Sequence, residues 1–188
     1  MTEKMRRARK AMKEALLSII KDKNRIITGQ IDPQYLSDNL GRKKGTAEAV
    51  VFPVSTEEVS GIMRYAWENN LPVTPRGAGT NLVGSTVPSG HGIVLDVSLM
   101  NHVLELDEET FTATVEPGVV LEDFQAYVES KGLFYPPDPG EKKATIGGNI
   151  STNAGGMRAV KYGVTRDYVM GLELVLADGT VVKAGSKN

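Results

Sequence analysis

The stretch Pro75-Arg76-Gly77-Ala78-Gly79-Thr80-Asn81-Leu82-Val83-Gly84-Ser85 constrains this chain more than any other. Glycine lets the main chain turn tightly, and the missing Cβ lets a phosphate approach the backbone N–H groups. The residues just before it, Leu71-Pro72-Val73-Thr74-Pro75, read as a short strand, so the glycines sit on a loop leaving a sheet. Thr80, Asn81 and Ser85 add neutral donors, and the combination points to a nucleotide ligand. Two known phosphate loops fail the spacing test. A dinucleotide fingerprint needs G-x-G-x-x-G opening a helix, whereas here Gly84 is followed by Ser85-Thr86-Val87-Pro88, a poor helix start. Gly79 to Gly84 has the G-x-x-x-x-G spacing of a Walker loop, but Ser85 stands where its lysine belongs. A plain glycine-rich surface turn is the remaining alternative for this loop alone.

A second cluster, Ala144-Thr145-Ile146-Gly147-Gly148-Asn149-Ile150-Ser151-Thr152-Asn153-Ala154-Gly155-Gly156, repeats the same chemistry of small, hydroxyl and amide residues with little charge. A long ligand lying across both loops accounts for the repetition. Between them, Tyr135-Pro136-Pro137-Asp138-Pro139-Gly140 is stiffened by prolines that fix φ, which suits a rigid wall beside a flat ring system.

Around these loops the patterning predicts an α+β chain. Met5, Ala8, Met12, Ala15, Leu16 and Ile19 fall at helical spacing between Glu3 and about Lys23, with Lys4, Arg6, Arg7, Arg9, Lys10 and Lys13 around them. Such a basic amphipathic helix either packs on the body, the commoner case, or lies on an anionic membrane. Asp32-Pro33 and Gly41-Arg42-Lys43-Lys44-Gly45 read as loop, and Glu48 to Phe52 as a short strand. Ser55-Thr56-Glu57-Glu58 offers a capping box, and Val59, Ile62, Met63 and Ala66 give a helix over 56–69 one apolar face. With the strand at Pro72 this makes a βαβ unit, whose carboxyl end carries the first glycine loop. A second lobe follows: a hairpin from Val103 to Leu106 and Phe111 to Val115, then a helix marked by Leu121, Phe124 and Val128 and ended by Gly132. Gly171 to Val182 reads as a final hairpin on Asp178-Gly179.

A net charge of -1 gives no electrostatic reason for a nucleic-acid partner. The absence of cysteine excludes disulfides, thiolate-held clusters and a cysteine nucleophile in this chain. No apolar run approaches the roughly 18 residues of a spanning helix, and the N-terminus lacks a signal-peptide pattern, so a cytoplasmic location is expected. His91 and His102 flank a strand without metal-pair spacing and read as surface or structural. Trp67 and Phe124 read as core, while Phe134 and Tyr135 are candidate neighbours of a flat ring. Asp138 and Asp167 are candidates for orienting polar groups, and Asp167 beside Arg166 also reads as a structural pair.

Arg76-Gly77-Ala78-Gly79-Thr80-Asn81, Pro136-Pro137-Asp138-Pro139, Thr145-Ile146-Gly147-Gly148-Asn149 with Asn153-Ala154-Gly155-Gly156, Tyr162-Gly163 and Arg166-Asp167 resemble, in order and spacing, the FAD-binding region of the FAD-linked glycolate oxidase and D-lactate dehydrogenase group. That group belongs to the vanillyl-alcohol oxidase type of flavoproteins, and the resemblance runs from about Ala49 to the last residue. It implies an α+β, two-lobed FAD-binding domain over 48–188, preceded by an N-terminal helical segment over 1–47. The cofactor-binding residues it and the loops together nominate are Arg76, Gly77, Ala78, Gly79, Thr80, Asn81, Gly84, Ser85, Pro137, Asp138, Thr145, Gly147, Gly148, Ser151, Thr152, Ala154, Gly155 and Gly163. In covalent relatives a histidine stands where this chain has Thr80, so non-covalent FAD is expected.

The resemblance further implies oxidation of a 2-hydroxy acid, of the glycolate or D-lactate class, by hydride transfer to flavin N5, with electrons passing on to an acceptor subunit. Relatives continue past this chain's Lys187-Asn188 through the rest of the FAD domain and a substrate domain, which supply the substrate-binding arginine, the catalytic histidine and, in many members, metal ligands. The domain is therefore expected to be C-terminally incomplete, with no catalytic residue or metal ligand named and the chain alone inactive. The alternative is a catalytically silent flavin- or nucleotide-binding module acting through a partner subunit. A weaker third reading, an NADPH-fed reductase of the cell-wall precursor type, is opposed by the Pro136-Pro137-Asp138-Pro139 segment.

Overall fold

The computed structural model describes residues 3–186. The side chains of Lys4 and Met5, given places on the first helix above, lie outside the described residues, as do Lys187 and Asn188. Helix α1 (Glu3–Ile20) is followed by strands β1 (Ile26–Thr28) and β2 (Ala47–Val51), helix α2 (Thr56–Glu68), and strands β3 (Val73–Arg76) and β4 (Gly92–Asp96). The strands form one sheet in the order β1-β2-β4-β3. Strand β4 is parallel to both β2 and β3, and β1 closes the other side antiparallel to β2. The expected βαβ crossover is present, but β4 is inserted between its two strands.

Alternation along the central strands divides the sheet into two apolar faces. Ala49, Val51, Ile93 and Leu95 meet Met12, Leu16 and Ile20 of α1 and Ile62 and Ala66 of α2. Val50 and Val94 point the other way, against Ile31, Tyr35, Leu36 and Phe52. Both faces are covered, so these strands read as apolar runs rather than half-polar ones. Met12, Leu16 and Ile20 recur every fourth residue and are buried, while Arg6, Arg7, Lys10 and Lys13 are exposed. The apolar face of α1 is thus occupied by the sheet and α2, which is the packed alternative of the two weighed above. Ala8 of that predicted face is exposed, because the sheet begins only a turn further along.

Trp67 departs from expectation. It is 62% exposed, because it follows Ala66 by one residue and so lies about 100° around α2 from the buried stripe. Phe124 is buried as expected.

The second lobe pairs β5 (Val103–Asp107) with β6 (Thr112–Val115), and packs α3 (Leu121–Glu129) against it through Leu121, Phe124 and Val128. Gly132, at φ +73, follows α3 where a left-handed stop was expected. The second glycine cluster is not a loop. Residues Ile146–Thr152 form helix α4, capped by the Thr145 hydroxyl, which accepts the Gly148 amide at 3.2 Å. A short α5 (Ala159–Tyr162) follows, then the hairpin β7 (Gly171–Val175) and β8 (Val181–Gly185). Its turn holds Gly179 at φ +86 with the Leu176 amide donating to Thr180 O, a three-residue loop whose last residue is left-handed. The hairpin leans on α2, where the Ser60 hydroxyl donates to Gly179 O at 2.6 Å and that of Thr56 to Glu173 at 2.6 Å.

The first lobe is knotted together at the start of α2. Ser55 accepts the Glu58 amide at 3.3 Å, and the Glu58 carboxylate accepts the Val54 amide at 2.9 Å and a two-pronged Arg25 guanidinium at 2.6 and 2.8 Å. Arg25 also donates to Ile20 O and Phe52 O, joining α1, β2 and α2. Burial pushes the Glu58 carboxyl up, but Arg25 and the Val54 amide outweigh it and hold it below the usual 4.5. A carboxyl held low in the fold adds stability that is present above its unfolded value and lost as pH falls through its folded value. Glu58→Gln should therefore cost about 2 kcal/mol at neutral pH, by leaving Arg25 with only the more distant Asp22 carboxylate at 3.9 Å. Urea unfolding over a pH series should show this difference shrinking below pH 4.5.

Candidate functional site

Strand β3 ends at Arg76, and the loop beyond it crosses the carboxyl end of the parallel strands. The backbone amides from Gly77 to Leu82 donate no hydrogen bond among the described residues. Gly79 is buried with φ +70, a left-handed turn that aims successive N–H groups to one side. Asn81 folds the loop instead of offering free donors: its Oδ1 accepts the Val83 and Ser85 amides, and its Nδ2 donates to the Thr86 hydroxyl at 2.7 Å. Gly84, at φ +78, completes the return. Ala78 and Ser85 are exposed and Thr80 is half-buried.

The Arg76 side chain turns back beneath the loop. It is 8% exposed, donates to Ser37 O at 3.0 Å, and lies 5.9 Å over the Tyr35 ring. A Cβ on Gly79 would run into this guanidinium. The glycine is therefore required from below by packing, in addition to any ligand above. Burial lowers the Arg76 pKa against the pull of Asp96, and burial raises the Asp96 carboxyl, which accepts the Ser98 amide at 2.9 Å. A positive charge thus sits under a patch of unpaired N–H groups.

The second glycine segment touches the first. A Cβ on Gly77 would collide with the Thr145 hydroxyl, and one on Gly147 with Pro117. The first-turn amides of α4 are already committed, Ile146 to Val119 O, Gly147 to Pro117 O and Gly148 to Thr145 Oγ1. Ser151 and Thr152 donate back to Gly147 O and Gly148 O. Gly147 and Gly148 are thus accounted for by packing and capping. Past α4, Asn153 is left-handed at φ 49 and accepts the Arg166 amide, and Ala154 O accepts both the amide and the hydroxyl of Thr165. The amides of Gly155, Gly156, Met157 and Arg158 donate no hydrogen bond among the described residues. Gly155 has room for a Cβ, which would stand 3.4 Å from Val164.

The proline segment lies against this turn. Pro137 is fully buried and its carbonyl accepts Gln125 at 3.0 Å. Asp138 is 5% exposed and holds Lys142 and, at 3.2 Å, Arg158, so its carboxylate ties the segment to the turn after α4. A Cβ on Gly156 would strike Asp138 O. Tyr135 stacks edge-on with Phe124 and Tyr168, and burial, aided by Tyr168, pushes its phenol up to about 12. Phe134 is 49% exposed against Arg158 and Tyr162. Asp167 accepts the Val164 amide at 2.8 Å, and a Cβ on Gly163 would meet its carboxylate, so both serve the local turn. His91 and His102 are exposed beside Glu48 and Glu116. Ser37, Tyr35 and Asp96 carried no readable signal, since each reaches the loop only through the fold.

With this geometry in place, comparison with known proteins identifies the loop's setting. The family described as FAD binding domain matches residues 47–185. The chain belongs to the FAD-binding domain family. Glycolate oxidase subunit GlcD of Bacillus subtilis (strain 168) is 52% identical over 154 residues, covering 81% of this chain and 33% of that protein. D-lactate dehydrogenase of Anaerostipes hadrus is 46% identical over 164 residues, covering 86% and 34%. The chain spans about a third of the length of these curated relatives. An alkyldihydroxyacetonephosphate synthase structure superposes with a TM-score of 0.80 at 22% identity, over 93% of this chain and 34% of that one, which shows the fold. The two-lobed α+β, vanillyl-alcohol oxidase type architecture is thus the one this chain has, and FAD is its cofactor.

The residues present suit that group. The run of unpaired amides from Gly77 to Leu82 over a buried guanidinium is matched to a pyrophosphate. Among the described residues no His, Asp and Glu cluster suits a metal ion, and no helix is long and apolar enough to cross a membrane. Two substitutions separate ligand contact from packing. Gly79→Ala should weaken FAD binding and also lower stability by about 1–2 kcal/mol, since it strains φ and displaces Arg76. Gly155→Ala should leave the urea midpoint unchanged, so any loss of flavin fluorescence quenching in that variant reports direct contact with the cofactor. Unchanged quenching would place the cofactor away from Gly155.

Proposed function

We propose that residues 48–188 form the FAD-holding part of a flavin-dependent oxidoreductase that oxidises a 2-hydroxy acid of the glycolate or D-lactate class. The observation that carries the reading is the row of unpaired N–H groups above Arg76. When bound, FAD supplies a two-electron acceptor whose N5 takes the hydride leaving the substrate's α-carbon. This chain's residues bind and orient. The Gly77–Leu82 amides donate to the pyrophosphate, with the Arg76 charge contributing from beneath. Thr80 and Ser85 offer hydroxyl donors, and Gly155 and Gly156 a second open stretch of backbone. Thr80, in place of a histidine, makes the attachment non-covalent. The Pro136–Pro139 segment, pinned by Asp138, gives the site an inflexible side.

The substrate class rests on the names of the two curated relatives, a glycolate oxidase subunit and a D-lactate dehydrogenase. The first is named as a subunit, which supports an electron-accepting partner subunit. In this proposal the groups that orient the α-carbon and take the hydroxyl proton belong to a substrate domain outside these residues, and the protein works in the cytoplasm. Occupation of the apolar face of α1 supports packing rather than membrane binding.

Titration of the purified chain with FAD should quench the flavin fluorescence and sharpen its visible bands. Anaerobic addition of glycolate or D-lactate to that complex should leave the flavin oxidised on the turnover timescale, because proximity and proton abstraction are missing. Bleaching at a rate typical of intact enzymes would show that this chain orients substrate by itself, against the proposal. No quenching at any FAD concentration would remove its basis.

A further inference from the structure

Residues 31–46 precede the segment that matches the FAD-binding family, which begins at residue 47. They nevertheless meet the glycine loop at its start, middle and end. At the start, Ser37 O accepts the Arg76 guanidinium at 3.0 Å over the Tyr35 ring. In the middle, the Asn39 amide donates to Asn81 O at 3.2 Å. At the end, the Thr46 amide donates to Pro88 O at 3.3 Å and its hydroxyl to Gly90 O at 3.1 Å. Gly45 lies so close that a Cβ there would strike the Pro88 carbonyl.

This segment is itself firmly held. Ile31, Tyr35 and Leu36 pack on Val50 and Val94 under the sheet. Asp38, 9% exposed, accepts the Leu40 and Gly41 amides at 3.1 and 3.0 Å, and the Gly45 amide closes back on Leu36 O at 2.7 Å. Asn81 holds the far half of the loop, but the unpaired amides from Gly77 to Leu82 do nothing to fix the near half. Ordering it at the moment of binding would subtract from affinity, and a support already in place removes that cost.

We propose that residues 31–46 are a positioning element for the cofactor loop, setting FAD affinity through Arg76, Asn81 and Pro88 without touching the cofactor. The inference rests on the reading that this loop holds the FAD pyrophosphate. Three variants test it by fluorescence titration with FAD and by competition with ADP, alongside urea unfolding of the ligand-free chain. Gly45→Ala pushes the segment off Pro88. Arg76→Lys keeps the charge near Asp96 but gives up the guanidinium plane that donates to Ser37 O and lies over Tyr35. Lys43→Ala, exposed in the same segment, is the control.

The FAD and ADP dissociation constants should both rise about tenfold or more in Gly45→Ala and Arg76→Lys, the scale of losses seen when an outer support of a binding site is removed. Those of Lys43→Ala should match wild type, and the urea midpoint of Gly45→Ala should fall with its unfolding still cooperative, because its Cβ must displace the Pro88 carbonyl. Wild-type affinity in a folded Gly45→Ala or Arg76→Lys overturns the proposal while leaving the FAD reading intact. Weakened FAD with unchanged ADP also overturns it, because the loop would then not be what was disturbed. Failure of the wild-type chain to bind either ligand overturns both readings.

Discussion

A guanidinium buried at the carboxyl end of a parallel sheet has to be solvated by the protein itself, and the loop architecture follows from how that is done. Arg76 closes β3, turns inward, and finds a carbonyl at Ser37, an aromatic face at Tyr35 and the field of Asp96. These partners come from two parts of the chain far from Arg76 in sequence, so the fold must be assembled before the charge is tolerable. Once it is, the stretch from Gly77 to Leu82 above it can leave its amides without acceptors. Its amides are directed outward over a positive charge, which suits an anion and little else.

The same region shows why glycine is so frequent without every glycine being a ligand contact. Gly77, Gly79, Gly147 and Gly156 each face protein atoms, namely Thr145, Arg76, Pro117 and Asp138 O. They let two loops and a helix approach closer than any side chain allows. Gly155, with space for a Cβ, has no such explanation in the protein.

What could be read in advance was what repeats locally. Met12, Leu16 and Ile20 mark α1 through several turns, Ser55 with Glu58 announces α2, and Gly132 and Asp178-Gly179 mark a stop and a turn. Strand β1 is three residues long and leaves no period to detect. Helix α4 was hidden because Gly147 and Gly148 oppose helix formation by about 1 kcal/mol each. Thr145 was its one visible sign, a cap residue three before Gly148. The insertion of β4 between β2 and β3 is a pairing choice made across the sheet, beyond the reach of local pattern.

Placement of the candidate residues was resolved only by long-range contact. Asp138 sits in a motif that resembles flavin-binding proteins, yet its carboxylate is occupied by Lys142 and Arg158, and Gly156 packs close against its carbonyl. That makes it the pin joining the proline segment to the turn after α4. Arg76 has the same character, one step further in. In both, an ionisable side chain from a binding motif is turned away from the open surface and held by groups of the protein, a carbonyl and a ring for Arg76 and two cations for Asp138. The outward surface is left to backbone amides, which carry no formal charge to desolvate and lose little side-chain freedom on binding. A site built this way holds an anion mainly by shape, and its affinity depends most on whatever keeps that backbone still.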